Sequence, residues 1–340
     1  MTPARTALTL AAVGAAVAVR RRRPVLSSYD EALPVLRPRV RQLPVAGGVL
    51  LHVEEHGPAD AGATLVLAHG YVQSCRVWDR QVAALLTARP DLRVVSYDHR
   101  GHGRSGRSPA ELAELGQLGR DLAAVLDTLP EGPVVLAGHS MGGMTVMAFA
   151  EQHPELIGPR VVGVALVGTS PGRLAEVTYG LPRAVARGAQ ALLPRSNELA
   201  RRRESAGKRA LPNRWMSRLI FGKGARPADV RMTMDVMARC SAATVADFHA
   251  TFGEHDRLAA LAALSDVPVT VLVGSRDLLC PVSHSEAIAQ ALPHSTLLVY
   301  PGAGHMVQLE RAAEVSRRLV ELCEALPRPE GRRRTQATAS

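Results

Sequence analysis

Three polar side chains stand where they could run acyl-transfer chemistry. Ser140 lies in Gly138-His139-Ser140-Met141-Gly142, between an apolar, β-branched run at 134–137 and a helix-forming segment at 144–150. Gly-x-Ser-x-Gly between a buried strand and a helix is the sharp turn that lifts a serine above a sheet. Its glycines let neighbouring backbones pass without a Cβ, and the serine is held in a strained conformation. The helix that follows aims its N-terminus at the serine, which favours developing negative charge. Asp277 ends Gly274-Ser275-Arg276-Asp277, after the apolar run at 267–273, and His305 ends Pro301-Gly302-Ala303-Gly304-His305, after the run at 297–300. Both follow the C-terminal end of an expected strand, the edge at which Ser140 also emerges.

These residue types supply one class of reaction. A serine hydroxyl is a poor nucleophile until a base removes its proton. A histidine can take that proton and later return it to the leaving group. An aspartate beside it holds the imidazole tautomer and stabilises the imidazolium. Asp266 precedes its strand and is the poorer acid. His284 opens a helical stretch and His294 precedes the last strand, so neither displaces His305. The oxyanion formed by attack needs two donors. Met141 N–H, directly after the serine, is one expectation; Tyr71 N–H, in His69-Gly70-Tyr71 after the run at 64–68, is the other. Gly70 lets that backbone turn toward the substrate, and the Tyr71 side chain reads as pocket wall.

The elements that must position these residues follow from hydrophobic pattern. Short apolar runs at 64–68, 93–97, 134–137, 161–167, 267–273 and 297–300 have the length and β-branching of buried parallel strands. A further strand is expected within 47–57, and helical spacing appears at 78–88 and 117–129. Strands alternating with helices predict an α/β fold with a mostly parallel sheet covered on both faces. One interval breaks the alternation. Residues 171–257 carry helical segments broken by Pro182, Pro194, Pro212 and Pro227, and read as a helical cap over the strand ends, where ligands of open α/β sheets sit. Trp215 in this cap and Gly70 in the core are the candidate substrate-binding residues. The expected organisation is an arm and linker at 1–44, core at 45–170 and 258–326, the cap between, and a disordered basic tail at 327–340.

Composition narrows the class. The 340 residues are 46% hydrophobic and 21% charged, globular values, with only 3% aromatic residues and a net charge of +10. The positive excess is concentrated at 20–23, 201–203 and 332–334 without any nucleic-acid-binding module, so no nucleic-acid partner is expected. Cys75, Cys240, Cys280 and Cys323 are scattered, which reads as reduced thiols in a reducing compartment and implies no metal site. Residues 6–19 are uncharged and followed at once by four arginines. As a helix they would span about 21 Å of a core of about 30 Å. An anchor or interfacial helix with the body on the cytoplasmic side, and a non-inserted arm, both remain open; secretion is least favoured. The expected location is therefore cytoplasmic, with the inner face of the membrane as a variant of it. An anchored or peripheral protein would work on acyl-lipid esters at an anionic membrane surface.

The motifs together resemble the α/β-hydrolase fold family. They are His69-Gly70, the stretch Asp98-His99-Arg100-Gly101-His102-Gly103-Arg104-Ser105, the Ser140 turn, Gly274-Ser275-Arg276-Asp277 and Gly304-His305. The similarity covers roughly residues 45–325 and is nearest to capped serine esterases and lipases. It implies an eight-stranded type of sheet, the order nucleophile–acid–base (Ser140, Asp277, His305), no cofactor and a small-molecule acyl substrate. The stretch from Asp98 to Ser105 is structural in that family. Ala312 departs from the family's usual proline, which touches a helix start. Epoxide hydrolases and haloalkane dehalogenases place an aspartate where Ser140 stands, which argues against both. Thioesterases, carbon–carbon bond hydrolases and cofactor-free haloperoxidases keep the same three residues and stay open, as does a non-catalytic binding protein on this scaffold. Oligomeric state is not legible.

Overall fold

The computed structural model describes residues 35–205, 214–324 and 326. The arginine-flanked segment at 6–23 and the tail at 327–340 lie outside the described residues. Eight strands form one sheet: β1 (Arg39–Val45), β2 (Val49–His56), β3 (Thr64–Ala68), β4 (Arg93–Tyr97), β5 (Val134–His139), β6 (Val161–Val167), β7 (Val269–Gly274) and β8 (Thr296–Tyr300). Their spatial order is β1-β2-β4-β3-β5-β6-β7-β8. β2 runs antiparallel to both its neighbours, and every pair from β4 to β8 is parallel. A parallel sheet needs cover on both faces, and β3 and β5 are buried along their whole lengths.

Alternation along these strands builds two cores. Val66, Ala68, Val134 and Leu136 face one side, where α2 (Leu115–Asp127), α3 (Met141–Gln152) and α8 (Val282–Ala291) contribute Leu122, Leu126, Met147, Phe149 and Ile288. Leu65, Leu67, Val135 and Ala137 face the other, against Trp78, Val82 and Leu85 at α1 (Asp79–Ala88) and Val315 and Leu319 of α10 (Ala312–Glu324). Residues 141–150 of α3 are all buried, as expected of a helix apolar on every side.

One boundary is corrected. Residues 39–44, expected in the linker, belong with Val45 to the edge strand β1, paired along its length with β2. Pro44 hid it, since proline interrupts a ladder; at an edge its missing N–H faces away from the only partner strand and is tolerated. Between β6 and β7 lie α4 (Arg183–Ser205), α5 (Arg214–Ile220), α6 (Pro227–Arg239) and α7 (Ala242–Thr251). This excursion is pinched at its base, where Arg257 N–H donates to the Pro171 carbonyl at 2.7 Å and Gly172 pairs with Asp256. It is tied to the core by Arg80 and Asp229 at 2.9 Å and by the Tyr71 hydroxyl, which donates to the Val245 carbonyl. After β8 come the short α9 (Val307–Glu310) and then α10.

Candidate active site

Ser140 sits at φ 53°, ψ −118°, a region costly for any residue with a Cβ. Its surroundings hold it there. Ser140 N–H donates to the Val167 carbonyl at 2.9 Å, and the Ser140 carbonyl accepts from Gly143 N–H at 2.9 Å and Thr169 Oγ1 at 2.7 Å. The turn is passable only to glycine: a Cβ at Gly138 would lie 2.3 Å from the Gly142 carbonyl, and one at Gly142 would lie 2.2 Å from that of Ala68. Ser140 therefore leaves β5 at the sheet's C-terminal edge with α3 starting beneath it. Met141 N–H is at the first turn of that helix, where backbone donors have no acceptor within the helix.

Asp277 and His305 meet at the same edge. His305 Nδ1 and Asp277 Oδ2 are 2.8 Å apart, with both side chains almost wholly buried. Asp277 Oδ1 accepts from Leu279 N–H at 2.9 Å and Cys280 N–H at 2.8 Å, so both carboxylate oxygens are held. In the tautomer that donates from Nδ1 to this carboxylate, Nε2 of His305 carries the lone pair. The two loops are laced together: Ser275 N–H donates to Tyr300 O, Arg276 N–H to Ala303 O, and Gly302 N–H to Ser275 Oγ, each at 2.9 Å. Gly274 has no room for a Cβ, which would fall 2.2 Å from the Gly304 carbonyl.

His139 links this pair to the serine turn. Its Nε2 lies 3.0 Å from the His305 carbonyl, and the two rings are 4.8 Å apart. Burial and the neighbouring His305 hold the His139 pKa well below its ordinary value, so it stays neutral and donates. Gly168, at φ +50°, packs where His139, His305 and Asp277 converge; its Cβ would lie 3.3 Å from Asp277 Oδ2. Neither residue was singled out from the sequence. A lone histidine ending an apolar strand was the available signal for His139.

The loop after β3 is held by a histidine with a defined tautomer. His69 Nε2 accepts from His99 N–H at 2.9 Å, so the proton sits on Nδ1, which donates to the Gly70 carbonyl at 2.7 Å. Burial lowers the His69 pKa to about 4, which keeps this neutral form. Gly70 C=O and Tyr71 N–H share one planar trans peptide and point in opposite directions. Fixing the carbonyl therefore fixes the direction of the N–H. Gly70 packs on His139: a Cβ would lie 2.8 Å from His139 Nδ1. The Tyr71 ring stands edge-on to Phe252 at 5.0 Å, where the loop after β3 meets the segment between β6 and β7. Trp215 belongs to α5, but its side chain falls outside the described residues.

The turn from Asp98 to Ser105 is a buttress. Asp98 accepts from Cys75 N–H at 2.7 Å and Arg104 N–H at 2.8 Å, and Arg100 forks onto Asp121 through two bonds of 2.6 Å. His52, Cys75 and Asp98 bring potential metal-ligand atoms within 4.8 Å of one another. Burial, with Asp98 adjacent, pushes the Cys75 thiol well up, which suits a filler rather than a thiolate ligand. Burial and Asp277 do the same to Cys280.

Comparison with known proteins agrees with this architecture. The family model described as "alpha/beta hydrolase fold" matches residues 63–312. The chain is 29% identical over 275 residues to the dihydrolipoyllysine-residue acetyltransferase component of the acetoin cleaving system of Pseudomonas putida, covering 81% of this chain and 66% of that protein. That match leaves about a third of the relative's length unspanned. It is 28% identical over 260 residues to the sn-1-specific diacylglycerol lipase ABHD11 of Mus musculus, covering 74% and 79% of the two chains. Among solved structures, an esterase from Exiguobacterium antarcticum superposes with a TM-score of 0.67 at 19% identity, covering 84% of this chain and 99% of the other. That likeness speaks for the fold.

Proposed function

Since the chain belongs to the α/β-hydrolase fold family, we propose that it is a serine hydrolase that cleaves carboxylic esters of apolar, lipid-like acyl groups. The observation that carries this reading is the His305–Asp277 bond of 2.8 Å, with Asp277 fixed by two backbone donors and placed at the edge where Ser140 is strained into its turn. An acceptor on Nδ1 leaves Nε2 as the base. In the proposed cycle Ser140 Oγ attacks the acyl carbon while His305 Nε2 takes its proton. The carbonyl oxygen becomes an oxyanion held by the N–H groups of Met141 and Tyr71. Collapse breaks the ester C–O bond, and the alkoxide leaves as the alcohol with the proton from His305. Water then attacks the acyl-enzyme, giving its proton to His305; Ser140 recovers that proton as the acid departs.

The apolar preference rests on what surrounds the serine. Met141, Met144, Phe248 and Cys280 lie in one buried cluster with Ala113, Leu115 and Leu118, with Tyr71, Leu174 and Phe252 at its margin, spanning α2, α3, the Asp277 loop and the cap helix α7. Hydrophobic walls with few polar groups favour acyl chains over charged substrates. The lipase and acetyltransferase names of two relatives agree with acyl chemistry. The test is a p-nitrophenyl ester panel from two to sixteen carbons, with Ser140→Ala and Asp277→Asn as comparisons. The reading expects turnover that rises with chain length and is lost in Ser140→Ala. A folded enzyme inert to every ester, or a Ser140→Ala variant as active as wild type, would overturn it.

A further inference from the structure

A carboxylate outside the proposed triad is wired into it. Glu310, the last residue of α9, accepts from Gly304 N–H through Oε1 at 2.9 Å and from Gly222 N–H through Oε2 at 2.8 Å. Gly304 directly precedes His305. Gly222 follows the end of α5, in the segment between β6 and β7. The same junction carries a third bond, from His305 N–H to the Ile220 carbonyl at 2.7 Å. The approach is close enough that neither glycine could carry a side chain. A Cβ on Gly222 would lie 2.2 Å from the Gly302 carbonyl, and one on Gly304 would lie 2.5 Å from Gly222 N. Ile220 and Phe221 are buried in the same apolar cluster as Ala303, Met306, Val307 and Leu309.

We propose that Glu310 is a positioning residue for His305, a clasp that joins the histidine loop to the end of α5 so that the seating of this cap helix sets where the imidazole stands. The proposal rests on the Ser140–His305–Asp277 reading. Each of the two amides is taken by its own oxygen of the one carboxylate. Glu310 takes both while half-buried, where desolvation raises its pKa and those two bonds offset only part of that effect. Both its hydrogen bonds go to backbone amides, one of them directly before His305, and its charge also acts on the His305 and Asp277 side chains. A cap helix displaced by substrate entry would pull on Gly222, and through Glu310 on Gly304 and His305.

The test compares wild type with Glu310→Gln and Glu310→Asp. Gln keeps one acceptor but turns an NH2 toward the other amide; Asp keeps the charge and is one methylene too short to span both. Active sites are titrated with a fluorophosphonate so that rates refer to competent enzyme. Loss of the clasp predicts a fall in kcat of about 10- to 100-fold per titrated site with KM within about twofold, as a small misplacement of a catalytic group produces. It also predicts that the low-field proton of the His305–Asp277 bond shifts or broadens in the NMR spectrum of both variants. A kcat per titrated site equal to wild type, with the proton unmoved, would show Glu310 to be structural only, even if thermal stability fell. Wild type that does not titrate at Ser140 would remove the triad reading itself, an outcome distinct from an unaffected Glu310 variant.

Discussion

At the scale of single residues, the proposed cycle separates groups that would perform chemistry from groups that would aim it. His69 is of the second kind, because its Nδ1–H pins the peptide that carries Tyr71 N–H. Replacing it with phenylalanine frees that peptide and strips His99 N–H of its acceptor. The expected outcome for His69→Phe is a kcat lower by about 10- to 100-fold with KM little changed, somewhat less than loss of an oxyanion donor outright. Steady-state kinetics on a short-chain ester would check it; an unchanged kcat would mean that the peptide is held without His69. Asp277→Asn should cost more, about 10⁴-fold in kcat, because it favours the wrong tautomer of His305. That Ser140, Asp277 and His305 follow the ends of strands was readable in the sequence, because each lies within a glycine-rich motif. The placing of His139, Gly168 and Glu310 was not. Their partners are backbone groups on segments far away in the chain, and such partners leave no side-chain pattern to recognise.

At the scale of elements, the glycine turn and one buried ion pair hold the sheet edge in shape. Gly142→Ala would press a Cβ to within 2.2 Å of the Ala68 carbonyl, a backbone atom of the central strand β3 that cannot step aside. Overpacking of this kind should cost about 3 kcal/mol and lower the urea midpoint while displacing the serine turn. Arg100 and Asp121 are both fully buried and joined by two short bonds, linking the Asp98 turn to α2. Asp121→Ala would strand a buried guanidinium, and urea titration should show a loss of about 3–5 kcal/mol. A loss below 1 kcal/mol would mean that water reaches Arg100 readily. The element pattern was largely visible in advance, since buried parallel strands are short apolar runs and their helices carry a 3.6-residue period. β1 escaped because Arg39, Arg41 and Pro44 make an edge strand look like a linker. The end of α5 was legible as apolar, but its insertion beside the histidine loop is a tertiary contact that periodicity does not encode.

At the scale of the whole molecule, buried histidines make stability depend on pH. Burial lowers the pKa of His69 to about 4, of His102 to about 3 and of His255 to about 4, against an ordinary value of 6.5. The unfolded chain therefore binds more protons than the folded one between about pH 6.5 and 4. Stability is fully present above that window and is lost as pH falls through it, by about 1.4 kcal/mol per pH unit for each proton taken up. Asp79 acts in the opposite sense. Burial raises its pKa to about 6, so it destabilises the fold as pH rises from about 4 to 6, and one carboxylate offsets only part of the effect of three histidines. Urea midpoints should fall clearly from pH 7 to pH 5, and Asp79→Asn should raise the midpoint at pH 7. A midpoint that stays flat between these pH values would contradict the assignment of neutral buried histidines.

The central claim is that Ser140 is an activated nucleophile, and the most direct measurement is to locate the adduct. Full-length protein treated with a fluorophosphonate and digested should yield one modified peptide by mass spectrometry, with the label on Ser140. Labelling should vanish in Ser140→Ala and fall by orders of magnitude in His305→Ala, with both variants folded. An adduct on any other residue, or none on folded wild type, would contradict the account.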